Sequence, residues 1–427
     1  MSHSQPDTEK EKSPTASSLP VSQVSITMTE RKPRFHVRWS ILAAALGFLV
    51  YQHDVFWPPV FHGLANRALN HHQPEAALGW LEIAEWFGSQ RADTALIRVR
   101  ASRQIGDPTM IINSMREAEK RGADSLQLQR ERILCAAQSG QMSIAGRHLA
   151  SLLTDPDYDN KDVCRAYIAG FLRVQKLNEA SQLIENLILD SPDDPWPWIV
   201  KGRISLLRSD LSTAESSFRE ACRRDSANME AVVFLAEVLK DSRQIDEAIA
   251  NFRKAMSDPK QLLRAAIGLS QCLTSSGHPE EAIKLLKETV AVYPEDANIL
   301  LELGRSQFED GDYSAASVTL EKAVSLHPWS DEGHYLLAQC LQASDRQEEA
   351  KPHFDFVKSA RQAHSELNGL QDRLSKSPTD DKLLLRIGVL LSQFGDPQEA
   401  VEVLRSAIDI NPENEDARNL LDELLRK

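Results

Sequence analysis

An all-α solenoid of about ten helix hairpins is the fold class this sequence predicts, and three observations carry that expectation. Ala180, Ala214, Ala248, Ala282, Ala316 and Ala350 follow one another at intervals of 34 residues. Turn-forming and helix-stopping residues recur at fixed offsets from those alanines. The composition is 42% hydrophobic but only 6% aromatic, with few runs of Val, Ile or Thr, which favours helix over sheet. A period of that length is the mark of a chain built from stacked supersecondary units.

With the recurring alanine set as position 20, Gly140, Gly277, Gly311 and Gly395 fall at position 15. A helix hairpin must turn there, and Gly supplies the left-handed conformation. Pro192, Pro294, Pro328 and Pro412 fall at position 32, where the second helix must stop. Phe218, Leu286, Leu320, Phe354 and Leu404 occupy position 24, one helical turn beyond the small residue. Upstream, Ala76 and Met110 are 34 apart and Ala145 lies 35 before Ala180. Downstream, Ala400 lies 50 after Ala350, one period plus a sixteen-residue insertion.

Trp198, Gly202, Ala214, Phe218 and Ala221 in one unit, and Leu303, Gly304, Ala316, Leu320, Ala323 and Pro328 in another, resemble the signature of the tetratricopeptide repeat (TPR). The resemblance covers roughly residues 58–427 and implies a right-handed α-α superhelix, a TPR solenoid. Each hairpin is amphipathic and buries its apolar faces only by stacking on its neighbours. The expected organisation is degenerate TPR-like units over 58–160, TPR units over 161–357, an inserted helical hairpin extension over 358–380, a TPR unit over 381–414 and a capping helix over 415–427.

Residues 1–38 show no apolar periodicity and are expected to form a disordered tail ending in basic residues. Arg31, Lys32, Arg34 and Arg38 then precede an uncharged run from Trp39 to Tyr51. As a helix that run reaches about 20 Å, and extending it to Trp57 gives about 28 Å, close to a hydrocarbon core. Residues 39–57 are the candidate transmembrane anchor, with Tyr51, Phe56 and Trp57 as its outer aromatic belt. A cleaved signal peptide and a helix leading into the solenoid are the alternatives. Basic residues on one flank alone predict a single-pass protein with a cytoplasmic N-terminus and an extracytoplasmic repeat region, periplasmic if bacterial.

The net charge is −13, and the tail contributes six Lys/Arg against four Asp/Glu, so the remainder is near −15. Nucleic acid is therefore not an expected partner, because phosphate binding needs a basic stripe. The five cysteines form no CxxC pair. Cys135, Cys272 and Cys340 share position 10 and Cys222 sits at position 28, so they read as small core hydrophobes. His71 and His72 fall at the turn with no ligand spacing around them. The sequence contains no HExxH, GxSxG, P-loop or GxGxxG motif. No catalytic residue, metal or cofactor is expected.

The TPR resemblance implies a ligand groove lined by first-helix positions 2, 5, 9 and 12. Transferred to this chain, the candidate partner-binding residues are Trp196, Ile199, Arg203, Val233, Glu237, Ile267, Leu301, Arg305, Phe308 and Tyr335. Aromatics flanked by Arg suit interface anchoring. The functional expectation is a membrane-anchored scaffold holding a protein or peptide partner. An accessory subunit of an envelope enzyme complex, or such an enzyme itself, and a self-assembling spacer are the alternatives.

Overall fold

A computed structural model describes residues 53–426 apart from 88, 90 and 156–158. The described elements are helical, and no strand occurs among them. The first hairpins are α1 (His53–Asn70) with α2 (Pro74–Trp86), and α3 (Ala92–Ile105) with α4 (Pro108–Lys120). In the third, α5 (Ser125–Gln138) faces a second arm broken into α6 (Met142–Ala145), a 3₁₀ turn (Gly146–His148) and α7 (Leu149–Leu153). Then follow α8 (Asn160–Arg173) with α9 (Leu177–Asp190), α10 (Trp196–Leu207) with α11 (Leu211–Arg224), and α12 (Met229–Asp241) with α13 (Ile245–Ala255). Next are α14 (Leu262–Ser275) with α15 (Pro279–Val292), and α16 (Ala297–Glu309) with α17 (Tyr313–Leu326). The last pairs are α18 (Asp331–Ala343) with α19 (Gln347–Lys376), and α20 (Asp381–Phe394) with α21 (Pro397–Ile410). Helix α22 (Glu415–Arg426) closes the series. The described residues thus hold ten hairpins and a terminal helix, as the period predicts.

Local chemistry fixes where each helix starts. Asp107, Asp159, Asp210, Asn228, Asp296, Asp312, Ser330, Asp380 and Asp396 each accept a first-turn amide, satisfying donors that a helix cannot bond internally. The turn inside each hairpin needs one left-handed residue. Gly106, Gly140, Gly277 and Gly311 take it freely at φ 81° to 85°, while His72, Gln175, Ser209, Arg243 and Asp345 adopt it at φ 52° to 64°. Gly395 departs from the expectation: its φ is −140°, extended backbone, and Asp396 caps the next helix instead.

Those turns also correct the upstream register. His72, Gly106 and Gly140 place the small positions at 77, 111 and 145, all 34 apart. Ala77 is completely buried and Ala76 is exposed, while Ile111 rather than Met110 takes the second place. The one-residue slip falls between Ala145 and Ala180. There the third unit's second arm tightens to a 3₁₀ turn at Gly146, and the Tyr167 hydroxyl donates to the Ala145 carbonyl at 2.7 Å. A side chain that takes up a helix carbonyl in this way disturbs the regular ladder.

Position 8 shows why small residues recur. A Cβ on Gly202 would lie 2.6 Å from the Phe218 ring, one on Gly304 2.5 Å from Leu320, and one on Gly388 2.6 Å from Leu404. The first helix therefore touches the position-24 side chain of its own hairpin with its backbone. Ala180, Ala214, Ala248, Ala282, Ala316 and Ala400 are fully buried and Ala350 nearly so, which places the position-20 row in the core.

Two compact units divide the chain, residues 1–132 and 133–427. In the first, α1–α4 close over Ala65, Leu69, Leu81, Ile97 and Val99, and a buried ion pair joins Arg103 Nε to Glu131 at 3.0 Å. In the second, each hairpin packs on the next. The largest cluster runs from Ile199 through Phe218, Val233, Leu239 and Phe252 to Cys272. Cys164, Cys222, Cys272 and Cys340 are free thiols, and burial pushes those of Cys164 and Cys340 up to about 11, in keeping with a packing role.

The sixteen-residue insertion lengthens its hairpin through one arm. Residues 358–380, expected as a hairpin extension, continue α19 as a single 30-residue helix to Lys376 and then turn into α20. Ala363, Leu367 and Leu370 bury against Ile387 and Leu391 of α20. The candidate anchor and the basic tail lie outside the described residues, except that residues 53–57 form the start of α1. No helix among the described residues is long and apolar enough to cross a membrane.

Candidate partner-binding face

The face lies on the first helices of the second unit, from α10 to α18, where side chains from successive hairpins meet. The Arg203 guanidinium lies 5.9 Å from the centre of the Phe234 ring, and Arg264 lies 4.2 Å from the same ring. Arg264 is held in turn by Glu237, with both guanidinium bonds made at 2.6 and 2.5 Å. Two cations from flanking helices thus approach one aromatic ring, each attracted by its quadrupole. Arg203 is exposed and has no acidic partner among the described residues.

A polar ladder continues from there. Lys240 Nζ donates to Gln271 Oε1 at 2.7 Å, and Gln271 Nε2 donates to Glu302 Oε2 at 3.2 Å. Arg305 approaches Glu302 at 3.6 Å and also pairs with Glu332 of the next hairpin. Glu302 is only 5% exposed, and that burial raises its carboxyl pKa above the ordinary value of 4.5 despite the neighbouring Arg305. Beyond it, Gln339 Nε2 donates to the Tyr335 hydroxyl at 3.1 Å, and the Arg361 guanidinium lies 5.9 Å from the Tyr335 ring centre.

The ten residues singled out in the sequence divide into three groups. Arg203, Glu237, Arg305 and Tyr335 reach the face. Trp196, Ile267, Leu301 and Phe308 are half-buried against the core, so Trp196 and Phe308 are not the water-facing aromatics their positions suggested. Arg165 covers Trp196 at 4.4 Å and is tethered to Asp194 at 2.9 Å. Burial lowers the Arg165 pKa to about 10. Ile199 and Val233 are 3% and 0% exposed. They are core residues and cannot touch a partner, which corrects their place in the candidate set. Position 5 is thus in the core at these two hairpins, half-buried at Ile267 and Leu301, and exposed at Tyr335.

Phe234 and Glu302, both at position 6, were the residues that position counting missed. One residue further along a helix is rotated by about 100°, enough to exchange core for face. The available signal was local: Glu302 is a carboxylate set between Leu301 and Leu303, and Phe234 an aromatic among small aliphatics.

A second ladder joins neighbouring second helices. Arg219 binds Glu247 at 2.6 and 2.7 Å, and Arg253 binds Glu281 at 2.7 Å, equivalent pairs one period apart. These groups are largely exposed, so each pair contributes about 0–1 kcal/mol. The crevice lined by Ile184, Lys201, Ser205 and Asp210 has a volume of about 130 Å³. That is below the roughly 300 Å³ at which small-molecule sites begin.

Stacked hairpins with small residues at positions 8 and 20, and left-handed turns between them, make this a TPR-like helical repeat protein. A family model described as "Cilia and flagella-associated protein 70 C-terminal domain" matches residues 200–427, more than half of the chain. The chain belongs to that family. Among solved structures it is similar to PilW, a type IV pilus biogenesis factor, at 20% identity over 47% of this chain and 94% of that one, with a TM-score of 0.44. It is similar to YrrB, described as a TPR protein with an unusual peptide-binding site, at 16% identity over 56% and 98% of the two chains, with a TM-score of 0.33. MamA from Desulfovibrio magneticus RS-1 is 21% identical over 39% of this chain and 93% of that one, with a TM-score of 0.35. No curated protein matches the chain.

Proposed function

We propose that this protein is a non-catalytic scaffold that holds a protein or peptide partner on the first-helix face between α10 and α18, anchored to a membrane through residues 39–57. The observation that carries the reading is the cross-hairpin ladder, above all Arg203, Phe234 and Arg264. Arg and aromatic side chains at a shared, partly desolvated surface are the chemistry of interface anchors. The ladder's outer ion pairs, Arg264 with Glu237 and Arg305 with Glu332, are exposed enough to open at small cost, so an incoming chain exchanges partners with them rather than breaking the fold. Residues 1–38 then lie in the cytoplasm and the repeats on the other side, following the basic residues that precede the apolar run.

A photo-crosslinking amino acid at Arg203, in the full chain in its native membrane, tests the reading. Crosslinks to a discrete protein partner are expected from that position. The same group placed at Glu281, on the second-helix ladder, is expected to yield none. Equal capture from both positions would contradict the assignment of the face. A tag after Lys427 that is digested by protease added to the cytoplasmic side would contradict the orientation.

A further inference from the structure

We propose that the first hairpin carries a membrane-contacting aromatic collar, with Trp86, Ile83 and Val60 resting in the interfacial layer of a lipid bilayer. The inference rests on the reading of residues 39–57 as an anchor and extends the contact to α2, roughly thirty residues further along the chain.

Aromatic rings from α1, from α2 and from the residue that ends α2 form one array. Trp57 lies 6.2 Å from Phe61 and 5.8 Å from Phe87, and Phe61 lies 6.2 Å from Trp80 and 5.6 Å from Phe87. Trp86 meets Phe87 edge-on at 4.8 Å. The contacts between the start of α1 and the end of α2 put this array at the end of the hairpin where residues 39–52 join it. Its outer surface is apolar and open: Trp86 is 80% exposed, Val60 44% and Ile83 38%. An indole left this open in water is uncommon, whereas at the headgroup layer it keeps its ring in an apolar medium and its N–H wet.

Chain length selects the occupant. Five residues lie between Tyr51, the end of the apolar run, and Trp57, and fully extended the six steps span at most about 20 Å. An anchor in the bilayer therefore holds this end of the hairpin at the membrane surface. Charge near Trp86 is muted as well, because Glu85 is bound by Arg98 at 2.8 Å and by Arg121 at 2.9 Å. The exposed Glu82 beside Ile83 favours a zwitterionic over an anionic surface.

The test uses the full chain in phosphatidylcholine nanodiscs, with lipids brominated near the headgroup to quench tryptophan emission. Trp39 lies inside the apolar run and reports on the anchor independently. Wild type is compared with Trp86→Phe, which removes the reporter and keeps an apolar side chain, and a melting curve checks that both are folded. The expected result is lipid quenching in both proteins, with the quenched emission smaller in Trp86→Phe by the share that Trp86 contributes. Quenching of equal size in the two would show Trp86 in water, which overturns the collar and leaves the anchor standing. A chain that fails to enter nanodiscs and shows no quenching overturns both. Quenching of Trp39 alone, together with a concentration-dependent dimer that Trp86→Phe weakens, would assign the surface to a second copy of the chain and overturn the collar.

Discussion

At the scale of single residues, neighbouring side chains on one helix have opposite duties. Val233 is completely buried while Phe234 beside it carries two guanidinium contacts. Val233→Ala is therefore expected to cost about 2 kcal/mol of stability, seen as a lower melting midpoint, while Arg203→Ala leaves the midpoint unchanged and weakens partner capture. Gly304→Val drives a side chain into Leu320 and is expected to cost about 1–3 kcal/mol. The helical period located both helices here. It did not separate core from face to within one residue, because the packing of the adjacent hairpin decides which side of the helix is covered. Glu302 gives a prediction with a definite sign. Its folded pKa is raised, so the native state holds the proton more tightly than the unfolded chain does. The stabilisation from its neutral form is complete below the ordinary value of 4.5 and declines as pH rises through the raised value. Glu302→Gln is expected to flatten that dependence in denaturant titrations run across the acid range. An unchanged pH profile would remove Glu302 as its source.

At the scale of elements, α19 is the clearest case of a helix set by tertiary packing. The inserted segment contains Gly369, a poor helix former, yet the helix runs through it because Ala360, Ala363, Leu367 and Leu370 keep one face buried. Leu367→Ala is expected to lower stability by about 2 kcal/mol through the α19–α20 contact. The insertion's helical character was legible in its periodicity. Whether it folded back was not, because the facing residues of α20 lie beyond it in the sequence. The same hairpin contains a histidine pair. His334 Nε2 donates to the Pro328 carbonyl at 3.0 Å, and its Nδ1 lies 2.7 Å from His353 Nδ1, where one ring donates and the other accepts. Burial lowers both pKa values below the ordinary 6.5, which favours the neutral rings, with Glu321 opposing the shift at His353. The sign is opposite to that of Glu302: this stabilisation is present above 6.5 and falls away as pH drops through the lowered values. His334→Gln is expected to reduce the acid sensitivity of the melting midpoint between neutral pH and the lowered range.

At the scale of the whole molecule, stacking was legible in the 34-residue period, and the ten hairpins follow it closely. The first three units were harder to place because their small position carries Ala77, Ile111 and Ala145, and a β-branched residue in the middle hides the repeat. The candidate face was only partly legible, since a ladder of contacts between successive hairpins has no signature in any one of them. The central claim is that the α10–α18 face holds the partner. Its most direct measurement is the affinity of the captured partner for three forms of the full chain: wild type, a face variant with Arg203, Arg305 and Tyr335 changed to Ala, and a second-helix variant with Arg219 and Arg253 changed to Ala. Each anchor lost from a desolvated interface costs about 2 kcal/mol or more. The face variant, with a melting midpoint like wild type, is expected to lose binding by about a thousandfold or more, on the order of two such anchors, while the second-helix variant binds as wild type does. Undiminished affinity in a folded face variant would contradict it.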